Sequence, residues 1–265
     1  MLLNVGDPSG YILFIIPSVL VSLAFTPILL SVSQAPAFES TKPLSFRRLY
    51  EASPLGCVGI FLLGGVFSAQ FGMASVWGTQ KGLDVRQLTI FVSAIYVGGL
   101  VAQYPIGWLS DRMDRRVVVF WLAALGAVVL LVPVLADVPF AALVVVGAIG
   151  GGVSNPLYSL LIAYVNDYLD KTDMAAASAG LMFINGMGAI LGPVITAWLM
   201  GAIGPSGFFL YMSVLFAALA GYTIWRMTQR RQTPEVTAGF TALSPGASVA
   251  AVEAAAMVDA EDARP

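Results

Sequence analysis

Two groups of residues in this chain are of types and spacings that could do chemistry. The first is the charged turn Gly107-Trp108-Leu109-Ser110-Asp111-Arg112-Met113-Asp114-Arg115-Arg116, wedged between two long apolar runs. Carboxylates and guanidinium groups at helix ends can cap free backbone groups and hold one another. Asp111, Arg112, Arg115 and Arg116 could therefore latch neighbouring helices together. The second group is a sparse set of amides and hydroxyls inside apolar runs: Ser68 and Gln70 in one, Ser154, Asn155 and Tyr158 in another, Asn185 in a third. Such groups can hydrogen-bond a solute. No carboxylate accompanies them, so the membrane-embedded acid that proton-coupled carriers use is missing from these runs.

The rest of the inventory narrows the options. There is no histidine, and the single cysteine, Cys57, sits in an apolar run, so neither a zinc site nor a disulfide framework is available. No G-x-S-x-G element occurs either, which leaves an intramembrane enzyme nothing to work with. We expect no catalytic activity, no cofactor, no metal and no nucleic-acid partner. A retinal protein would need a lysine inside its final helix, whereas Lys42, Lys81 and Lys171 all fall between apolar runs.

The elements that must position these residues are membrane helices. The chain is 58% hydrophobic and 11% charged, where a soluble protein carries roughly 25% charged residues, and its mean hydropathy is +0.85. A spanning helix needs about 20 apolar residues. The runs at 11–33, 54–77, 88–110, 117–136, 139–165, 175–200 and 206–225 meet that length, predicting an all-α membrane protein with seven transmembrane helices. Gly201, Gly204, Pro205 and Gly207 supply the turn between the last two. No charged residue falls inside a span.

Lys and Arg set the expected orientation. Placing the 107–116 turn in the cytoplasm also puts Lys42, Arg47, Arg48, Lys171 and Arg226 there and leaves only Lys81 and Arg86 outside. The amino terminus is then outside and the carboxyl terminus cytoplasmic, in a plasma (bacterial inner) membrane. Residues 1–33 form the extracytoplasmic start and first span, 34–53 a polar cytoplasmic linker, 54–228 six closely connected spans, and 229–265 a solvated tail with a possible short helix over 248–260.

Within the six spans, 54–136 and 139–225 read as two three-helix units of opposite orientation. The first helix of each unit carries glycines at similar depth: Gly64 and Gly65 in one, Gly150, Gly151 and Gly152 followed by Pro156 in the other. Interrupted helices in corresponding positions point to a transporter's binding site. Gly64, Gly65, Ser68, Gln70, Ser154, Asn155, Tyr158 and Asn185 are thus the expected substrate cavity. A competing reading takes the glycines, including Gly150 and Gly152, as close-packing points. Gly188, Gly192 and Pro193 in the sixth span read as tight helix packing with a proline kink.

The charged turn resembles a known signature. Loops of the form G-x-L-[AS]-D-R-x-G-R-[RK] mark the major facilitator superfamily of secondary transporters, and Gly107 to Arg116 fits with one departure, Asp114 in place of glycine. Gly188-Ala189-Ile190-Leu191-Gly192-Pro193 is similar to the G-x-x-x-G-P element of antiporter members. Ser53-Pro54-Leu55-Gly56 and Gln103-Tyr104-Pro105-Ile106-Gly107 look like a branch of bacterial permeases without an agreed substrate.

The resemblance implies the family's helices 6 to 12, the last six forming a carboxyl-terminal half. It implies transport of a neutral or lipophilic small molecule by alternating access, with the lipid bilayer and an amino-terminal half as partners. In the family the loop pins the two halves together in one state and releases them in the other. The counterpart of the first five helices is missing. The alternative is therefore a half-molecule with a structural or regulatory membrane role and no transport alone.

Overall fold

The computed structural model of the chain describes residues 11–30, 45–169 and 173–229, and every regular element among them is a helix. In order these are α1 (Ile12–Leu30), α2 (Phe46–Ala52), α3 (Pro54–Phe67), a π-helical turn (Ser68–Met73), α4 (Ala74–Lys81), α5 (Val85–Ser110), α6 (Arg115–Leu135), α7 (Phe140–Asn166), α8 (Met174–Ile203) and α9 (Ser206–Gln229). The tail beyond residue 229 and the linker from 31 to 44 lie outside the described residues, as does the possible helix over 248–260.

Local chemistry explains the boundaries. Pro54 occupies the first turn of α3, where its missing N–H costs nothing. Asp84 and Gln87 close α5 with a reciprocal capping box: the Gln87 N–H donates to Asp84 Oδ1 at 2.7 Å and the Asp84 N–H to Gln87 Oε1 at 3.1 Å. Gly82 ends α4 with φ +77, a left-handed conformation that favours glycine. Asp114 caps α6 by accepting from the Arg116 N–H at 2.9 Å.

Six helices among the described residues are long and apolar enough to cross a bilayer: Pro54–Lys81, Val85–Ser110, Arg115–Leu135, Phe140–Asn166, Ala176–Ile203 and Ser206–Gln229. They coincide with the six expected spans after the linker to within about four residues at each end. The protein is a multi-pass integral membrane protein. The seventh expected span, over 11–33, overlaps α1, which is not among those six, so the described residues give six spans and not seven. The expected polar linker contains a helix: α2 buries Leu49 against α8 at Gly180, and Arg48 pairs with Asp173 at 3.1 Å. The stretch is amphipathic rather than uniformly polar.

Packing follows an exchange between the two three-helix units. The most extensive pairings are α5 with α7, α6 with α9, and α3 with α8. The first helix of each unit thus packs on the second helix of the other, and the two third helices pack together. The contacts fix direction: Phe91, Ile95 and Gly99 of α5 meet Gly147, Gly151 and Asn155 of α7, so these helices run parallel. Phe61 and Ser68 meet Gly188 and Gly192 in the same sense, so α3 and its continuation run parallel to α8.

Glycine makes these approaches possible. A Cβ at Gly151 would drive into the Ile95 carbonyl, one at Gly98 into the Ala148 carbonyl, and one at Gly188 into the Phe61 carbonyl. At each point backbone touches backbone, the close approach that small residues permit between membrane helices. At the far end of the bundle from Arg115, the buried Trp77 ring packs against Phe91, Phe208 and Phe209 with centroids 4.6, 5.3 and 5.1 Å away. That cluster ties α4, α5 and α9 together.

Candidate functional site

The path from α3 to α4 is where helical geometry breaks. Residues Ser68–Met73 adopt a π-helix near the middle of the Pro54–Lys81 span. Single-turn π-bulges inside α-helices occur frequently at functional sites. The expected break in α7 is not observed: the helix runs unbroken from Phe140 to Asn166 through Gly150, Gly151, Gly152 and Pro156. Packing explains the difference. Gly151 and Gly152 lie against α5, Gly151 at the Ile95 carbonyl and Gly152 facing the Gly98 carbonyl and Ala102, and this neighbour supports the backbone that glycine alone would loosen.

The π-turn and α7 meet through one buried hydrogen bond. Ser154 Oγ donates to Gln70 Oε1 at 2.9 Å, with Ser154 fully buried and Gln70 2% exposed. Gly150 stands beside the same amide, and a Cβ there would lie 3.4 Å from Gln70 Nε2. Tyr158, one turn further along α7, is buried and sets its ring edge-on to Phe67 at 5.8 Å. Phe67 is stacked with Phe71 at 6.1 Å, and Phe71 with Tyr96 of α5 at 4.9 Å. A ladder of four rings therefore climbs from the core to an open face, where Phe71 is 38% and Tyr96 59% exposed.

The remaining expected cavity residues divide. Asn155 is half-buried, and its Nδ2 donates to the Gly151 carbonyl at 3.1 Å while packing against Gly99. Asn185 Nδ2 donates to the Ile60 carbonyl at 3.1 Å, which staples α8 to α3. Gly64, Gly188 and Gly192 lie in that same seam, Gly192 against Ser68 Oγ, and Ser68 Oγ in turn donates to the Gly65 carbonyl at 2.9 Å. Gly65 faces the Tyr211 hydroxyl across the α9 side. Pro193 is half-buried inside α8, which continues through it to Ile203. Gln70, Ser154 and Tyr158 are thus brought together, whereas Gly64, Ser68 and Asn185 form the α3–α8 seam. Sequence reasoning passed over Phe67, Phe71 and Tyr96, because a lone aromatic in an apolar run looks like lipid-facing bulk.

The charged turn forms a second structure at the opposite end of α5. Arg115 is 4% exposed, and its Nη1 donates to both carboxylate oxygens of Asp167, at 2.8 and 2.9 Å. Asp167 ends α7, and Asp111, which ends α5, stands 3.8 Å from Arg115 Nη2. One guanidinium at the start of α6 thereby gathers the ends of α5 and α7. Arg116 forms an ion pair with Asp114 at 2.7 Å. Burial raises the Asp114 carboxyl, but hydrogen bonds and charge from Arg116 outweigh it and hold the group below the ordinary carboxylate range. Arg112 turns outward over the Trp108 ring, 4.1 Å from its centroid, and donates to the Trp108 carbonyl. Gly107 is buried at the end of α5.

Asp114 has φ −57 and ψ 117, so the turn needs no left-handed residue and the aspartate serves as a helix cap where glycine stands in the signature. Asp167 went unread in the sequence. Its signal was a carboxylate closing the fifth apolar run at the same end of the bundle as the arginines.

With this geometry in place, comparison with known proteins decides the family. The model of the Major Facilitator Superfamily matches residues 56–256. The chain belongs to the Major Facilitator Superfamily. Among curated proteins it is 28% identical over 189 residues to the uncharacterized MFS-type transporter YfkF of Bacillus subtilis, covering 68% of this chain and 47% of that protein. It is 30% identical over 182 residues to the uncharacterized MFS-type transporter YcaD of Escherichia coli, covering 67% of this chain and 45% of that protein. The chain spans about half the length of the curated relatives it matches. The six spans among the described residues equal the helix content of one half of a superfamily transporter, which is built from two inverted three-helix repeats.

Proposed function

We propose that this chain is the carboxyl-terminal half of a major facilitator transporter and carries a small neutral or lipophilic molecule across the membrane by alternating access, working with an amino-terminal half. The observation that supports this reading most directly is the Ser154–Gln70 bond, which pins a π-helical break at mid-depth between the first helices of the two units. Helix discontinuities near the membrane centre are where secondary transporters hold their substrates. The substrate is neutral in this reading because no charged side chain accompanies these residues at mid-depth.

Arg115, Asp111 and Asp167 then act as the hinge-side latch. They set the ends of α5, α6 and α7 as one unit that moves against the other half. α1 supplies the extracytoplasmic entry helix and α2 the end of the linker between halves, with the 107–116 turn in the cytoplasm. The alternative is a folded half-molecule with a structural or regulatory role.

Proteoliposomes separate the two. The chain is reconstituted alone and together with the amino-terminal half of YcaD, and uptake of a panel of radiolabelled neutral solutes is followed. Uptake that needs both halves and is lost in Asn155→Ala, with insertion unchanged, supports the transport reading. No uptake by either preparation, with both chains correctly inserted, overturns it in favour of the half-molecule role.

A further inference from the structure

We infer that the exposed pair Phe71 and Tyr96 is a stacking platform for a planar, uncharged aromatic substrate. This deepens the transport reading and rests on it.

Three observations carry the inference. First, the two rings are stacked at 4.9 Å and 28°, already in the offset arrangement that a third flat ring can extend. They are backed by Phe67 and Tyr158, so a ring added on the open side continues a ladder that is rigid behind it. Second, the space in front is open. Phe71 is 38% and Tyr96 59% exposed, and at the neighbouring Gly72 a Cβ would meet nothing within 4 Å, whereas Gly64, Gly98, Gly151 and Gly188 are all filled by neighbouring backbone.

Third, lipid is a poor occupant of this face. Tyr96 lies near the middle of α5 with 59% of its surface exposed, and a phenol hydroxyl at the hydrocarbon centre would lack a partner. Tyrosines that face lipid concentrate at the membrane interfaces instead. Charge completes the selection. The ionised side chains of the described spans sit at their ends, at Lys81, Arg86, Arg115, Arg116 and Arg226. A cation would find no carboxylate here and an anion no basic group, which leaves a flat neutral ring with one polar substituent for the Tyr96 hydroxyl.

The test uses the full chain in lipid nanodiscs, with naphthol as the planar probe and its saturated analogue decalol as a control for partitioning into lipid. Retention above empty nanodiscs is measured by equilibrium dialysis. Wild type is expected to retain naphthol and not decalol. Phe71→Leu and Tyr96→Leu should each lower the affinity about fivefold, a typical worth of one aromatic contact, while Tyr96→Phe keeps the stack and loses less. A circular-dichroism melt confirms that each variant is folded.

Equal retention of naphthol and decalol, or unchanged binding in folded Phe71→Leu, overturns the platform. Preference for a planar quaternary cation over naphthol overturns the neutral class. Solute uptake without naphthol selectivity would leave the transport reading standing and this inference refuted. Naphthol selectivity without any uptake would do the reverse.

Discussion

Ser154 Oγ donates to Gln70 Oε1 across 2.9 Å of buried interior, and through that bond α7 holds the π-turn that interrupts the first span. A buried hydroxyl–amide pair is most costly when one partner is removed, because the other is left desolvated and unpaired. Gln70→Ala and Ser154→Ala should each destabilise the fold by about 1 kcal/mol, the scale measured for membrane hydrogen bonds. The double variant should cost less than the two singles together. Thermal melts of the four proteins in one detergent check this; strict additivity would mean that the two side chains do not act as a pair.

Glycines in the helix seams should differ sharply from glycines on the open face. Gly188→Ala would push a methyl group into the Phe61 carbonyl, and Gly151→Ala into that of Ile95, so the helices must separate. Overpacking of this kind costs about 1–3 kcal/mol. Gly72→Ala meets empty space and should leave the melting temperature unchanged or slightly raised. Alanine raises helix propensity at all three sites, so an equal change at each would show that seam packing does not distinguish these positions.

At the charged junction the two carboxylates around Arg115 should have separate effects. Asp167→Ala removes the close partner of a guanidinium that is 4% exposed, and breaking such a buried pair costs about 3–5 kcal/mol. Asp111, 3.8 Å away and 43% exposed, contributes under about 1 kcal/mol to stability. Its proposed role is in motion, so Asp111→Asn should slow transport while melting and insertion hold. A variant with wild-type transport rate would leave Asp111 only a positional part in the turn.

The Asp114–Arg116 pair gives a pH signature. Because the folded carboxyl lies below its ordinary value, its contribution to stability is fully present above the unfolded value of about 3.9 and is lost as pH falls through the folded value. Asp114→Asn keeps a capping side chain but not the charge. Its deficit against wild type should be constant from about pH 8 to pH 5 and should close at pH values below about 4. Melting both proteins across that range tests the sign; a deficit that grew in acid would contradict the pairing.

Hydropathy made the six spans legible because a charge-free run of about 20 residues has no competing explanation. What it could not provide was partnership. Gly64, Gly151 and Gly188 stand out in the sequence, but only the fold pairs them with the carbonyls of Asn185, Ile95 and Phe61. Sequence reasoning expected interruptions in the first helix of both units, at Gly64 and Gly65 and at the triple glycine of α7, where glycine loosens an isolated backbone. In the fold α5 supports Gly151 and Gly152, and the break falls in the first unit alone, at Ser68–Met73 just after the Gly64–Gly65 pair. The charged turn was readable as a unit from its own residues. Its deepest contact, Arg115 with Asp167, joins positions far apart in the chain, and its sign in the sequence was a carboxylate closing an apolar run at the arginines' end of the bundle.

The central claim is that the face bearing the π-turn lines a watery substrate path and not the lipid boundary. Thiol accessibility tests it most directly, in membranes where the chain is assembled with an amino-terminal half. With Cys57 replaced by alanine, Gly72→Cys and Val128→Cys are exposed to a charged, membrane-impermeant thiol reagent; Val128 is 66% exposed, near the middle of α6. The account predicts rapid labelling at position 72, slowed by bound naphthol, and no labelling at position 128. Equal protection of both positions from the reagent would place the π-turn against lipid and contradict the account.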